Sequence, residues 1–229
     1  TNDGTNGCEL WILDEENVPT LLMDIHVSGD AIPGKEIGIH VVDTERGPRF
    51  FFDADDGVHG REMWVSDGTA IGTTMLGDME TSDAIDWTTE FTPWMDGAVF
   101  TTHGQQGHRM WWTNGSVTTS IWQAPWFSSS TSSDLVNQST TLSSLGQGLL
   151  QGDENGLWFA AKDASAGLEM MYLSATGTLH LYDLQPFGDS SPSQGLSLDD
   201  GFVVAASDGT GRQLVKLDHD GGFQWLTSM

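Results

Sequence analysis

One short segment recurs five times along the chain, and this recurrence limits the possible folds more than any other feature. Its copies are CELWILD, REMWVSD, RMWWTNG, LEMMYLS and RQLVKLD, at residues 8–14, 61–67, 109–115, 168–174 and 212–218. The third core position falls at Trp11, Trp64, Trp111, Met171 and Val215, so successive copies lie 53, 47, 60 and 44 residues apart. Self-similarity at a period of roughly 50 residues indicates a chain of repeated supersecondary units.

Three further elements accompany the recurring segment. An aromatic element precedes four copies, at 49–57, 98–107, 157–167 and 202–211, and another follows all five, at 20–25, 73–79, 118–123, 178–184 and 222–226. A weaker fourth precedes the aromatic one, at 37–43, 90–96, near 144–150 and at 195–200. Each is short, rich in β-branched or aromatic residues and bounded by turn residues, as strands are. Four strands per unit predict an all-β fold, a β-propeller of four-stranded blades.

The three consecutive phenylalanines at 50–52 support this architecture. Successive strand residues point to opposite faces, so both faces of this strand need burial, as expected when one blade stacks on the next. A two-sheet sandwich would not repeat, and a β-solenoid would have shorter coils. Helical periodicity is not seen in the sequence.

The alignment of the repeats also predicts unit boundaries. Residues 1–11 align with residues 54–64, so the sequence given opens inside a turn. The predicted repeat domain, 1–229, divides into a half-blade at 1–36 and units at 37–89, 90–143, 144–194 and 195–229, or four blades and a half. Either the sequence is a slice of a longer propeller, or the missing strands come from another subunit or from the C-terminal region. An unpaired half-blade predicts a protein partner or self-assembly.

The chain carries 33 acidic and 8 basic residues, a formal charge of −25. Such a surface repels nucleic acids and anionic membranes, and it suits a salty or calcium-containing medium that screens the repulsion. No apolar stretch approaches the roughly 18–20 residues of a membrane helix, so no membrane insertion is expected. Cys8, the one cysteine, is interpreted as a small hydrophobe rather than a nucleophile.

Residues 51–78 combine Phe-Phe-x-Ala-Asp-Asp-Gly, a Glu-Met-Trp triplet at 62–64, Asp67-Gly68-Thr69 and a following Gly-Thr. This pattern resembles the bacterial and archaeal ELWxxDGT repeat proteins. The resemblance implies a secreted or surface-attached, propeller-like protein without a common enzymatic activity. It weakens along the chain, where Arg109 replaces the glutamate and Met171 replaces the tryptophan.

Three acidic residues beside Gly57 form the candidate metal site: Asp53, Asp55 and Asp56. Clustered carboxylates on a glycine-containing turn can supply the oxygen ligands that calcium prefers. The alternative is that these residues only form a hairpin turn, because the other units do not keep the acids. Asp67-Gly68-Thr69 is likewise interpreted as a turn.

The remaining candidates concern ligands and modification. His103 and His108 could hold a transition metal across a hairpin, although two imidazoles make a weak site. Trp122 and Trp126, outside the repeat register, are the candidate ligand-binding residues, with a glycan as the ligand. Two sequons, at Asn114 and Asn137, are candidate glycosylation sites.

No catalytic constellation emerges from these residues, so no catalytic residue is predicted. The sequence favours an extracellular, non-enzymatic repeat protein, a surface, adhesive or filament component that presents loops to a partner. The alternative is a carbohydrate-binding or glycan-degrading propeller.

Overall fold

The computed structural model of the protein describes residues 2–44, 46–79, 86–87, 91–104, 107–123, 149–163 and 165–227. These residues form strands and turns without a helix, which confirms the all-β prediction; accordingly, they include no helix long and apolar enough to cross a membrane. The chain forms two compact units, residues 1–105 with 109–121, and residues 106–108 with 122–229.

Five antiparallel sheets, here called I to V, follow one another along the sequence. Sheet I contains β1 (Leu10–Leu13) and β2 (Pro19–Met23), and sheet II contains β3 (Ile39–Thr44), β4 (Gly47–Asp55), β5 (Arg61–Ser66) and β6 (Thr74–Met75). Sheet III contains β7 (Asp86–Trp87), β8 (Thr92–Trp94), β9 (Gly97–Gly104), β10 (Gly107–Thr113) and β11 (Thr118–Gln123). Sheet IV contains β12 (Gln151–Gly152), β13 (Gly156–Asp163), β14 (Gly167–Ser174) and β15 (Leu179–Tyr182). Sheet V contains β16 (Ser193–Leu198), β17 (Gly201–Ser207), β18 (Arg212–Leu217) and β19 (Phe223–Trp225).

The strands occur where the repeated elements predict them. The five copies of the recurring segment form β1, β5, β10, β14 and β18, and the aromatic elements form β4, β9, β13 and β17. Sheets II, IV and V each pair four strands in sequence order. The repeat therefore corresponds to a four-stranded antiparallel sheet.

The weak fourth element lies where it is predicted in sheet III, where β8 pairs with β9, but two shorter strands lie outside the predicted ranges. In sheet IV this element is Gln151–Gly152, just after the expected region at 144–150. In sheet III, β7 pairs with β9 through Asp86 and His103, so this sheet reaches back before residue 90. Both strands have only two residues, so cross-strand pairing sets their position and local sequence gives little signal.

The core of the first unit explains the run of three phenylalanines. Phe51 packs with Val42, Val65 and Ala98 on one face of sheet II. Phe52 lies on the other face, in a cluster that Leu10 and Met23 of sheet I contact. Phe51 and Phe52 are both fully buried. Sheet II is thus buried on two faces, as the sequence predicts.

The second unit has its own core, between sheets IV and V. Trp158 of β13 stacks on Phe202 of β17, with ring centroids 5.2 Å apart. Tyr172 and Tyr182 of sheet IV lie beside the same indole ring, and both are almost fully buried. Burying large rings supplies a substantial share of the hydrophobic stabilisation in a protein core.

Candidate functional site

A buried glutamate recurs in three copies of the recurring segment, within its strand or directly before it. Glu9, Glu62 and Glu169 each occupy the second position of the recurring segment, and each is at most 2% exposed. A buried carboxylate is costly unless hydrogen bonds satisfy its oxygens. In each case the donors are backbone amides of the loop that follows the sheet.

The bonds of Glu9 and Glu169 follow the same pattern. The Glu9 carboxylate accepts the amides of Ile25 at 2.7 Å and Ala31 at 3.1 Å. The Glu169 carboxylate accepts the amides of Leu184 and Ser190, both at 3.0 Å. One side chain therefore joins both ends of a loop to the strand. Glu62 makes the corresponding bond to the Met79 amide at 3.3 Å.

In the loops after sheets I and IV, an aspartate also accepts a hydrogen bond from the recurring segment. Asp30 accepts the amide of Cys8 at 2.6 Å, and Asp189 accepts the amide of Leu168 at 2.8 Å. Cys8 and Leu168 directly precede the buried glutamates. The glutamate of the segment thus accepts amides of the loop, and the aspartate of the loop accepts an amide of the segment.

The same loops bind the next sheet through an arginine. Arg61 of sheet II donates to the carbonyl oxygens of Ala31 at 3.0 Å and Ile32 at 3.1 Å. Arg212 of sheet V donates to the carbonyl oxygen of Ser191 at 3.1 Å. We call the glutamate, the loop aspartate and this arginine the inter-sheet clamp; one clamp joins sheets I and II, and another joins sheets IV and V.

The inter-sheet clamp was missed in the sequence, although a signal for it exists. The loops share the pattern Asp-Ile/Leu-x-x-x-Gly-Asp, at residues 24–30 and 183–189. Each copy follows a segment with Glu at its second position and precedes one that begins with Arg.

Burial raises the pKa of the Glu169 carboxyl, and the hydrogen bonds from Ser190 and Leu184 oppose that rise.

The three acids proposed to bind calcium have separate structural partners. Asp53 is fully buried, forms an ion pair with Arg61 at 2.6 Å and accepts the amides of Glu36 and Ile37. The Asp55 carboxylate accepts the Gly57 amide at 2.7 Å, within the turn.

Asp56 also closes the turn. Its carboxylate accepts the amides of Val58 and His59, and it contacts the His59 ring nitrogen Nδ1 at 2.7 Å. Partial burial disfavours the ionised Asp56, but the His59 and Val58 bonds outweigh this effect and lower its pKa. Among the side chains that the structure describes, no three of His, Cys, Asp or Glu are placed to hold a metal ion. The calcium site stays a prediction.

The Asp-Gly-Thr segment is a self-closing turn. Asp67 accepts both the amide and the hydroxyl of Thr69, at 2.9 and 2.7 Å, and the Thr69 hydroxyl accepts the Gly72 amide. The Thr69 hydroxyl and amide lower the pKa of Asp67. Asp208 and Thr210 repeat the first two bonds in sheet V.

The remaining candidate residues from the sequence do not form one site among the described residues. Trp122 is half-buried, and its ring contacts the Phe159 ring edge-on with centroids 5.5 Å apart. Asn114 accepts the amides of Ser116 and Val117 in a turn. Cys8 is half-buried. Trp126 and Asn137 lie outside the described residues, as do the side chains of His103 and His108.

An apolar pocket lies between sheets I and II. It has a volume of about 240 Å³ and is lined by Leu10, Trp11, Ile12, Leu22, Ile39, Phe50, Phe52, Ser66 and Gly68. The indole N–H of Trp11 is buried and has no hydrogen-bond partner in the described part of the chain, as is also true of Trp64 and Trp94. The pocket can therefore take an apolar group.

Neither a protein-family model nor a curated protein sequence matches the chain. Membership of the ELWxxDGT repeat family thus stays a prediction from the motif residues. Those residues now have structural roles: Glu62 binds the following loop, Trp64 packs in the core, and Asp67 and Thr69 close a turn.

Proposed function

We propose that this chain is a non-enzymatic structural repeat protein of the cell surface or extracellular medium. Its sheets are blades of a β-propeller, and it acts by binding other polypeptides, including further copies of itself. The blades serve as a scaffold, and the loops are the contact surfaces.

The inter-sheet clamp is the observation that carries this proposal. The most distinctive charged residues of the repeat, Glu9, Glu169, Arg61 and Arg212, are used to join one sheet to the next. The motif acids also have partners inside the structure: Asp53 pairs with Arg61, and Asp67 accepts the Thr69 hydroxyl. Because the charged motif residues connect successive sheets, they favour a scaffold role over a catalytic one.

The charge of the chain makes the proposal testable. At −25, two copies repel each other at low ionic strength, and salt screens this repulsion over a Debye length of about 10 Å at 0.1 M. We expect sedimentation velocity to show monomers in 20 mM NaCl and larger species in 1 M NaCl. Calcium chloride at matched ionic strength separates screening from specific calcium binding.

The glycan alternative is tested in the same samples. A glycan array and a panel of chromogenic glycosides should give no signal, and Trp122→Ala should leave the sedimentation profile unchanged. A monomer at every salt concentration together with glycan binding that Trp122→Ala abolishes would replace the proposal with a lectin function.

A further inference from the structure

Three Asn-Gly steps lie in the described part of the chain, and one of them leads directly into the inter-sheet clamp between sheets I and II. They are Asn6-Gly7, Asn114-Gly115 and Asn155-Gly156. We infer that Asn6 is a modification site, where spontaneous deamidation converts the asparagine to aspartate and isoaspartate and weakens this clamp. The modification is independent of the proposed function.

The reaction needs only the chain and water. The backbone nitrogen of the glycine attacks the side-chain carbonyl carbon Cγ of the asparagine and gives up its proton to solvent. A bond forms between this nitrogen and Cγ, the bond from Cγ to Nδ2 breaks, and Nδ2 leaves as ammonia. Water then opens the resulting succinimide ring at either carbonyl, so that no atom is oxidised or reduced. Glycine favours the attack because it has no side chain to obstruct it.

The N–H group of the glycine distinguishes the three steps. The Gly115 N–H donates to the Thr113 hydroxyl at 3.1 Å, and the Gly156 N–H donates to the Asp153 carboxylate at 2.8 Å. Each bond has to open before the nitrogen can lose its proton and turn to the asparagine. The Gly7 N–H has no acceptor among the residues that the structure describes. The nitrogen of Gly7 is therefore free to react.

The surrounding backbone gives the same order. Gly156 begins β13 and pairs with Ser174 of β14, so a sheet holds it in place. Asn114 is fixed in its turn, because its side-chain oxygen accepts two amides of the residues that follow. Asn6 and Gly7 are half-buried and lie outside the sheets, in the turn before β1.

The aspartate that forms at position 6 faces Asp3. The Asp3 carboxylate accepts the Asn6 backbone amide at 2.7 Å and the Asn6 side-chain nitrogen at 2.8 Å. The backbone amides of Asn6 and Thr5 lower the pKa of Asp3, so this side chain is ionised at neutral pH. Deamidation therefore replaces a hydrogen bond by a repulsion between two carboxylates.

Isoaspartate disturbs the clamp itself, because it adds one carbon to the backbone directly before Gly7. A Cβ atom at Gly7 would lie 2.1 Å from the Gly29 carbonyl oxygen, so this part of the chain has no spare room. The next residue, Cys8, donates its amide to Asp30 at 2.6 Å, and the buried Glu9 follows. The longer backbone displaces the segment from these two bonds to the loop.

The clamp between sheets IV and V provides an internal control. Gly167 has a φ of 83°, close to the 79° of Gly7, and a Cβ atom there would lie 2.7 Å from the Gly188 carbonyl oxygen. The residue before it is Ala166, which has no side-chain amide to lose. Deamidation at an Asn-Gly step therefore affects one clamp and leaves the other intact.

Peptide mapping by mass spectrometry tests the site. The full chain is incubated at pH 8 and 37 °C, both folded and in 8 M urea, and deamidation of each Asn-Gly peptide is followed with time. In the folded chain, Asn6 should react at least tenfold faster than Asn114 and Asn155. In urea, where every glycine N–H is free, the three rates should agree within about threefold. A rate at Asn6 that is no faster than the other two in the folded chain would overturn the inference.

Amide exchange tests the effect on the clamp. In the deamidated protein, the amides of Ile25 and Ala31, which bind Glu9, should exchange at least fivefold faster than before incubation. The amides of Leu184 and Ser190 in the second clamp should be unchanged. Unchanged exchange at Ile25 and Ala31 in deamidated protein would show that the modification does not weaken the clamp.

Two variants assign the effect to one side chain. Asn6→Gln keeps a donor for Asp3 but reacts slowly, because its side chain would have to close a six-membered ring. This variant should keep the exchange rates of the first clamp through the incubation. The matched control, Asn114→Gln, should lose protection at Ile25 and Ala31 as the wild type does, and equal loss in both variants would contradict a role for Asn6.

Discussion

The inter-sheet clamp between sheets IV and V can be broken at one side chain, Glu169. Its carboxylate is fully buried and accepts the amides of Leu184 and Ser190, both at 3.0 Å. In Glu169→Ala the Leu184 amide loses this acceptor and the Ser190 amide loses one of its two acceptors, in a buried part of the structure. Each orphaned donor costs about 1–3 kcal/mol, so we expect the free energy of unfolding to fall by about 2–5 kcal/mol.

The second acceptor of Ser190 and two comparison variants refine the expected loss of unfolding free energy. The Ser190 amide keeps a second acceptor, the Leu168 carbonyl oxygen at 3.1 Å, which reduces the cost at that end of the loop. Glu169→Gln retains one acceptor oxygen, so it should cost about 1–2 kcal/mol, less than the alanine variant. The exposed Glu154 lies in a turn of the same sheet, and Glu154→Ala should change stability by less than about 0.5 kcal/mol.

Urea unfolding measures the total effect, and native-state amide exchange locates it. In Glu169→Ala the amides of Leu184 and Ser190 should exchange at least tenfold faster, while the amides of β1 and β2 are unchanged. If the alanine variant is as stable as Glu154→Ala, or if the two loop amides keep their protection, the carboxylate does not hold the loop and the reasoning fails.

Three further predictions follow from single residues. Phe187 is fully exposed with a φ of 69°, so Phe187→Gly should raise the stability by about 0.5–1 kcal/mol while Phe187→Ala has little effect; a lower Tm for the glycine variant would contradict this. A Cβ at Gly97 would lie 2.1 Å from the Thr113 carbonyl oxygen, so Gly97→Ala should cost about 1–3 kcal/mol, and an unchanged Tm would show that the backbone yields freely. Burial raises the pKa of the Glu169 carboxyl above its value of 4.5 in the unfolded chain. Protonated Glu169 therefore adds to the free energy of unfolding below pH 4.5, and this contribution is lost as the pH rises through the raised pKa. Glu169→Gln should therefore cost less at pH 7 than at pH 4 in urea unfolding, and an equal cost at both pH values would argue against the raised pKa.

The repeated pattern predicts the strands because each strand is a local feature. A run such as Phe50–Phe52, with turn residues on both sides, has the same preference in any sheet that buries two faces. The turn at Asp67 is equally local, since all of its hydrogen bonds lie within seven residues. The two-residue strand β12 lies just after its predicted range, and β7 is an additional strand that was not predicted, because so short a strand is defined by its partner.

The inter-sheet clamp could not be predicted in the same way, because its contacts join residues that are distant in the sequence. Glu9 and Ala31 are 22 residues apart, and Arg61 and Ala31 are 30 apart. Asp53 looks like a calcium ligand beside Asp55 and Asp56, yet its carboxylate faces Arg61 across the hairpin. The Asp55 carboxylate instead accepts the Gly57 amide within the turn, so acids close in sequence need not share a site.

Repeated strands, aromatic core residues and acidic turns can all be predicted from the amino-acid sequence of this protein. Period, strand pattern and turn residues are all properties of short segments, and they survive in the sequence whatever the sheets pack against. The three-dimensional packing is needed to know which acids are buried and which loops they hold. Burial and hydrogen bonding depend on which sheet lies opposite, and no local pattern carries that information.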